Sequence, residues 1–194
     1  MVTGLAWDVL HSPIGPLSIG CSSLGVGRVS FGAPPDQAGP AGTAGPAGAA
    51  GPAGAAALLR AGRAQLAEYL CGQRRAFDVP LDWAAATPFQ RQVLGTLLDS
   101  VGYGQTVTYG ELARRSGLPD AGLPARAVGQ VMGANPIPVI VPCHRVLAST
   151  GMGGYGGSGT GAGLAIKRWL LILEGSLPPT LDWESASAAL STTC

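Results

Sequence analysis

Apolar and polar positions alternate in short bursts at the start of the chain. Trp7-Asp8-Val9 and Leu17-Ser18-Ile19 switch character at every residue, and Pro13, Gly15, Pro16, Gly25 and Gly27 punctuate the stretch from Leu5 to Phe31. Period-two alternation interrupted by turn formers predicts short strands in a small antiparallel sheet. The pattern then vanishes. From Ala33 to Ala57 only Asp36, Gln37 and Thr43 are not Ala, Gly or Pro, and Gly-Pro-Ala-Gly recurs at Gly39, Gly45 and Gly51. Three such repeats are too few for a collagen triple helix, so residues 33–57 are expected to form a disordered loop inside a first domain.

Helical spacing begins at Leu58 and continues through Leu59, Leu66, Tyr69 and Leu70 to a stop at Gly72. Phe77 to Trp83 reads as a strand that leads into a second domain. Thr87-Pro88-Phe89-Gln90 then sets an N-cap, a proline at the first helical position and a capping glutamine in succession, predicting a helix from about Pro88 to Asp99. Thr108-Tyr109-Gly110-Glu111 is a second capping box, and its short helix should stop near Ser116-Gly117. A third helix is expected from Ala125 to Met132, where Ala127, Gly129 and Gly133 leave one side nearly bare. Pattern alone fits two layouts equally, a helix-turn-helix that reads DNA and an αα-hairpin packed in a core. Ile137 to Val141 is apolar at every residue and should be buried, with Pro142 breaking it; Leu164 to Glu174 reads as a last helix stopped by Gly175.

Composition changes this picture in two ways. The 194 residues suffice for one domain of common size or two small ones, but 31 glycines and 16 prolines mean that much of the 46% hydrophobic content is Ala in flexible sequence. A formal net charge of +1 gives no ground for a nucleic-acid, membrane or acidic partner. Between Gln105 and Arg168, however, six basic residues (Arg114, Arg115, Arg126, Arg145, Lys167, Arg168) face two acidic ones (Glu111, Asp120). That excess suits a phosphate backbone and also fits ordinary surface charge. The four cysteines, Cys21, Cys71, Cys143 and Cys194, lie far apart with neither a CxxC pair nor zinc-ligand spacing, so reduced thiols and no metal are expected. Met1 to His11 has no basic start and no apolar core of a leader, and no run approaches the roughly 18 apolar residues of a membrane span. A cytoplasmic protein with no membrane partner is expected.

Candidate chemistry sits where the buried run ends. Cys143 follows Pro142 and precedes His144 and Arg145, and His144 is one of only two histidines. A thiol reacts as its thiolate, and a free one with pKa of about 8.5 needs a cationic or basic partner near neutral pH. Neighbours on an extended strand point to opposite faces, so a bend after Pro142 or a bridging water has to bring Cys143 and His144 together. An inert buried cysteine is the other reading. Glu174 falls at the negative end of a helix macrodipole, where a carboxylate is disfavoured by about 0.3–1 kcal/mol. It either orients a histidine or is a frayed, solvated glutamate.

Val141-Pro142-Cys143-His144-Arg145-Val146, preceded by Asn135-Pro136 and Arg126-Ala127-Val128-Gly129, resembles the methylated-DNA–protein-cysteine methyltransferases, which repair 6-O-methylguanine. Thr87-Pro88-Phe89-Gln90, Tyr103-Gly104-Gln105-Thr106, Tyr109-Gly110-Glu111-Leu112-Ala113 and Lys167-Arg168-Trp169-Leu170-Leu171 occur in the family's order, and Ser12 to Leu17 echoes it more weakly. The resemblance covers about Thr87 to Gly175. It implies a mixed α/β (α+β) protein: a small N-terminal ribonuclease-H-like α/β domain over residues 1–84, a C-terminal winged-helix-like domain with a helix-turn-helix over 85–178, which binds DNA and holds the alkyl acceptor, and a flexible tail over 179–194.

Position by position, the resemblance makes Cys143 the acceptor, His144 the base that draws off its proton through a water, and Glu174 the residue that orients the imidazole. It makes Asn135 the hinge between the helix-turn-helix and the active-site segment, and Arg126 the finger that fills the gap left by a flipped base. Tyr109 becomes the residue that helps rotate the nucleotide and donates to the base. Ala127, Gly129 and Gly133 become the small residues that let the reading helix approach the minor groove. Tyr155 walls the guanine pocket, with Val141, Gly156 and Lys167 beside it. The implied partner is double-stranded DNA carrying alkylated guanine, bound by a monomer without a cofactor, and the implied reaction is a stoichiometric suicide transfer. The turn from Gly117 to Pro124 and the glycine-rich stretch from Gly153 to Gly163 are longer than in the family, His11 stands where an acidic residue is common, and residues 33–57 have no counterpart. A lesion-binding regulator would lack an acceptor cysteine, and a cysteine hydrolase would turn over. The transferase alone uses Arg126, Asn135, Tyr109 and Glu174 together.

Overall fold

The computed structural model describes residues 4–34, 54–119, 124–155 and 161–179. They fall into two compact units, the first ending at Ala85 and the second running from Ala86 to Pro179.

In the first unit, β1 (Ala6–Leu10), β2 (Leu17–Cys21) and β3 (Val26–Phe31) form an antiparallel sheet in sequence order, with Trp7 opposite Gly20 and Ile19 opposite Val29. Helix α1 (Ala55–Leu70) lies on this sheet and buries Leu66, Tyr69 and Leu70. Gly62 allows its approach, since a Cβ there would come within 2.7 Å of Ile19 Cδ1. The helix begins three residues earlier than the leucine spacing indicated, so Ala55, Ala56 and Ala57 belong to it and not to the expected loop. Alanine is the strongest helix former, and these three extend a helix that packing has already nucleated. Residues 35–53 of that loop and residues 180–194 of the expected tail lie outside the described residues. The strand expected over Phe77 to Trp83 is absent. Pro80 lacks an N–H, and the segment makes only an isolated bridge between Val26 and Leu81 before a 3-10 turn at Trp83–Ala85. Cys71 is disulfide-bonded, which corrects the expectation of four reduced thiols, whereas Cys21 and Cys143 are free.

In the second unit, α2 (Pro88–Ser100) opens on a complete capping box: Thr87 Oγ1 accepts from Gln90 N at 3.2 Å, and Thr87 N donates to Gln90 Oε1 at 2.9 Å. Helix α3 (Tyr109–Arg115) keeps only half of its box. Thr108 Oγ1 accepts from Glu111 N, but the Glu111 carboxylate turns to Arg114 and Arg115. Helix α3 packs on α4 (Pro124–Gly133), which buries Val128, Val131 and Met132. Strands β4 (Val107–Thr108) and β5 (Val146–Leu147) pair in parallel, Val107 with Val146 and Thr108 with Leu147. The last helix, α5 (Gly161–Leu173), ends at Gly175, whose φ of 76° is left-handed. Leu170 and Leu171 are fully buried on it. No described helix is long and apolar enough to cross a membrane.

Candidate active site

The apolar run Ile137 to Val141 is buried, as its composition requires, but it folds as a tight turn and not as an extended strand. Val141 N donates to Ile137 O at 2.9 Å, and Val139 sits at φ 74°. A β-branched residue in the left-handed region is strained by about 1–3 kcal/mol, and it is the sole non-glycine with positive φ among the described residues. Asn135 closes this turn at both ends. Its Oδ1 accepts from Ile137 N at 3.0 Å, and its Nδ2 donates to Val141 O at 2.9 Å and to Cys143 Sγ at 3.1 Å. One amide therefore fixes both the strained turn and the sulfur.

Pro142 starts a 3-10 turn over Cys143–Arg145, so Cys143, His144 and Arg145 leave the backbone in different directions. Cys143 faces Asn135. His144, fully buried, places Nε2 2.9 Å from Glu174 Oε1. Arg145 lays its fork on the same carboxylate, with Nη2 2.9 Å from Oε1 and Nε 3.0 Å from Oε2, while Nη1 donates to Val101 O at 2.7 Å. Gly104 N adds a donor to Glu174 Oε2 at 3.2 Å, and Tyr103 Oη donates to Leu173 O at 2.9 Å. Glu174 is thus neither frayed nor solvated.

Lys167 is fully buried on α5, and its Nζ donates to Val146 O at 2.6 Å and to Gly154 O at 3.2 Å. It also lies 6.0 Å from the centroid of the Tyr109 ring. That ring stands between two glycines: a Cβ on Gly153 would come 2.9 Å from it, and one on Gly129 would lie 3.9 Å away. Tyr155 is buried, and its side chain favours the ionised form of Cys143. On α4, Arg126 is exposed, Ala127 and Gly129 are half-buried, and Gly133 is exposed with open space beside it. Among the described residues no hydrogen bond or charge interaction joins Arg126 to Cys143, which instead meets Asn135 and Lys167. Gly156 lies outside the described residues.

The electrostatics follow from burial. Burial pushes the Cys143 thiol up, against the Asn135 amide and the Lys167 charge, which favour the thiolate. Burial pushes the His144 imidazole down, opposed by Glu174. Burial also lowers the Lys167 ammonium to about 8, and pushes the Tyr109 phenol up with help from Cys143. Glu174 is the reverse case: burial raises it, but His144 and Arg145 outweigh that and hold it at about 2. The resting site therefore combines a thiol, a neutral imidazole, a paired carboxylate and an ammonium close to its titration point. No described group of three or more His, Cys, Asp and Glu residues is placed to hold a metal.

Sequence reasoning singled out neither Arg145 as the partner of Glu174 nor Val139 as a strained position. A signal existed for the first, because an arginine set in an apolar run needs a buried partner, and Glu174 is the carboxylate that follows an apolar helix.

This cluster lies within residues 88–176, which match the sequence profile of the 6-O-methylguanine DNA methyltransferase DNA-binding domain. A methylated-DNA–protein-cysteine methyltransferase of Methanosarcina acetivorans is 37% identical over 171 residues, covering 88% of this chain and 98% of that protein. The chain belongs to the methylated-DNA–protein-cysteine methyltransferase family. As a member it is a methyltransferase of DNA repair. The crystal structure of the Mycobacterium tuberculosis O6-methylguanine methyltransferase superposes with a TM-score of 0.67 at 33% identity, covering 92% of this chain and 98% of the other. That of Mycobacterium tuberculosis OGT in complex with DNA gives 0.66 at 34% identity, covering 88% and 93%.

Proposed function

We propose that the protein repairs 6-O-alkylguanine in double-stranded DNA by moving the alkyl group, once, onto Cys143. The observation that carries this reading is the cluster of buried Cys143, His144, Glu174 and Lys167, with half-buried Asn135 on the sulfur, inside the segment that matches the family's DNA-binding domain.

In this mechanism α4 enters the minor groove as a monomer docks. Ala127, Gly129 and Gly133 let it approach closely, and exposed Arg126 fills the gap left by the flipped nucleotide. Extrusion costs a few kcal/mol and costs less at a poorly paired lesion. The guanine enters a pocket bounded by Val141, Tyr155 and Lys167. The thiol proton passes to neutral His144 through a water, and Glu174 stabilises the imidazolium that forms. The sulfur lone pair then attacks the alkyl carbon as the carbon–oxygen bond breaks, and the bonding pair stays on the guanine oxygen and ring. Lys167 and the protonated Tyr109 phenol supply positive charge and a donor where that negative charge develops. The displacement uses no cofactor. The thioether is no leaving group, so nothing restores the thiol and each molecule acts once.

The direct test is intact and peptide mass after mixing the protein with a short duplex that carries one 6-O-methylguanine, beside an undamaged duplex. One added methyl on the peptide containing Cys143, saturating at one per molecule, is the expected result. Continued turnover or a methyl on another peptide would overturn the assignment. Arg126→Ala should slow repair of duplex DNA by at least tenfold while repair of a single-stranded oligonucleotide changes far less, because only the duplex leaves a gap to fill. Equal slowing of both substrates would remove the finger role.

A further inference from the structure

Glu174 is shared. The carboxylate that His144 contacts receives most of its hydrogen bonds from Arg145, the next residue in the same 3-10 turn, and the third nitrogen of that guanidinium is fixed on Val101 O at the end of α2. Gly104 N holds the other side of the carboxylate. His144, Arg145 and Glu174 are all buried, so water does little to screen them. A carboxylate facing an imidazole alone would draw a proton onto it and hold it there. A base that is already protonated cannot accept the proton of a thiol.

We propose that Arg145 is a positioning residue for the reaction: its guanidinium fixes the Glu174 carboxylate and balances its charge, so that Glu174 orients His144 without keeping it protonated. This rests on the reading of His144 as the base for Cys143. The charged groups that act on the imidazole agree with it. Burial disfavours the imidazolium most, Glu174 favours it, and the charges of Arg145 and of Lys167 on α5 both oppose it. Before the thiol proton moves, Glu174 is already paired with Arg145, Lys167 adds a second positive charge acting on the imidazole, and a third cation on His144 is disfavoured. Once the thiolate forms, Lys167 and Asn135 face a second anion. The arrangement therefore leaves His144 oriented by a carboxylate and still free of a proton.

The test uses the full chain with 13C-labelled histidine, free of DNA. Only His11 and His144 give signals, and His11→Asn assigns them. In Arg145→Met the His144 titration midpoint should rise by at least one pH unit. Arg145→Lys should keep the midpoint near that of the unsubstituted protein, because the charge is restored. It should nevertheless transfer methyl groups at least tenfold more slowly at unchanged duplex affinity, because one ammonium cannot hold both carboxylate oxygens and the Val101 carbonyl. A merely structural arginine would lower stability without moving the midpoint. An unmoved midpoint in folded Arg145→Met overturns the proposal, as does full-rate transfer by Arg145→Lys, which remains decisive should Arg145→Met fail to fold. The titration is read without substrate, so it stands separately from the assignment of Cys143 as acceptor.

Discussion

Cys143→Ser will bind a lesion-bearing duplex as the unsubstituted protein does and will gain no methyl group, over times in which the unsubstituted protein saturates. The substitution is gentle on the structure, because a serine oxygen still accepts from Asn135 Nδ2, which stands 3.1 Å from the sulfur. It is severe for the chemistry. A hydroxyl is far harder to ionise than a thiol. Cys21 cannot substitute. It is a free thiol like Cys143, but it is fully buried in the β-sheet, and burial alone pushes it up to about 12. Intact mass with a band-shift of the same mixture reads both halves of the expectation. A methyl appearing on any peptide of the Cys143→Ser protein would show that the acceptor lies elsewhere.

The second large effect is on stability. Glu174→Ala strands the buried Arg145 guanidinium and removes the His144 partner, and leaving one member of a buried pair uncompensated costs about 3–5 kcal/mol. The loss should appear in the second unit, as faster hydrogen exchange in peptides from α5 and the 143–147 segment. The same group predicts an acid dependence. Its folded pKa, at about 2, lies below the ordinary carboxylate value of 4.5, so its contribution is complete above about pH 4.5 and is lost as the pH falls toward 2. That contribution is roughly 3 kcal/mol. The Glu174→Ala protein should lack this part of the acid sensitivity. An acid profile identical in the two proteins would show that Glu174 is not held as described.

Features carried by a residue's immediate neighbours were legible in the sequence. The Thr87 box, the stops at Gly72, Gly117 and Gly175 and the burial of Ile137 to Val141 depend on local chemistry, and the structure has each of them. Features set by distant partners were not. Strands β4 and β5 are two residues long and about forty residues apart, too short to show a period. Phe77 to Trp83 alternates like a strand, yet Pro80 prevents it from joining a ladder. The disulfide at Cys71 leaves no spacing signature. At the site, the Pro-Cys-His-Arg motif drew attention to the thiol and the histidine, but the partner of Arg145 lies 29 residues on, and only an arginine in an apolar run and a carboxylate after an apolar helix hint at the pair. The turn at Val139 was hidden for a related reason. No propensity predicts valine with positive φ, and the conformation holds because Asn135 and the surrounding core determine it from outside.

Cys143 is only 4% exposed, and its thiol is pushed up by burial. For an ordinary catalyst, hiding the nucleophile slows every cycle. For a reagent consumed by reacting, which the proposed single transfer would make this protein, concealment has the opposite value. Oxidants and small electrophiles dissolved in the surrounding water meet a protonated, buried sulfur, whereas in the proposed mechanism an extruded base brings its alkyl carbon directly to that sulfur. Under that proposal the number of lesions a cell can erase is the number of unspent thiols it still holds, and burial keeps that reserve from being drained between lesions.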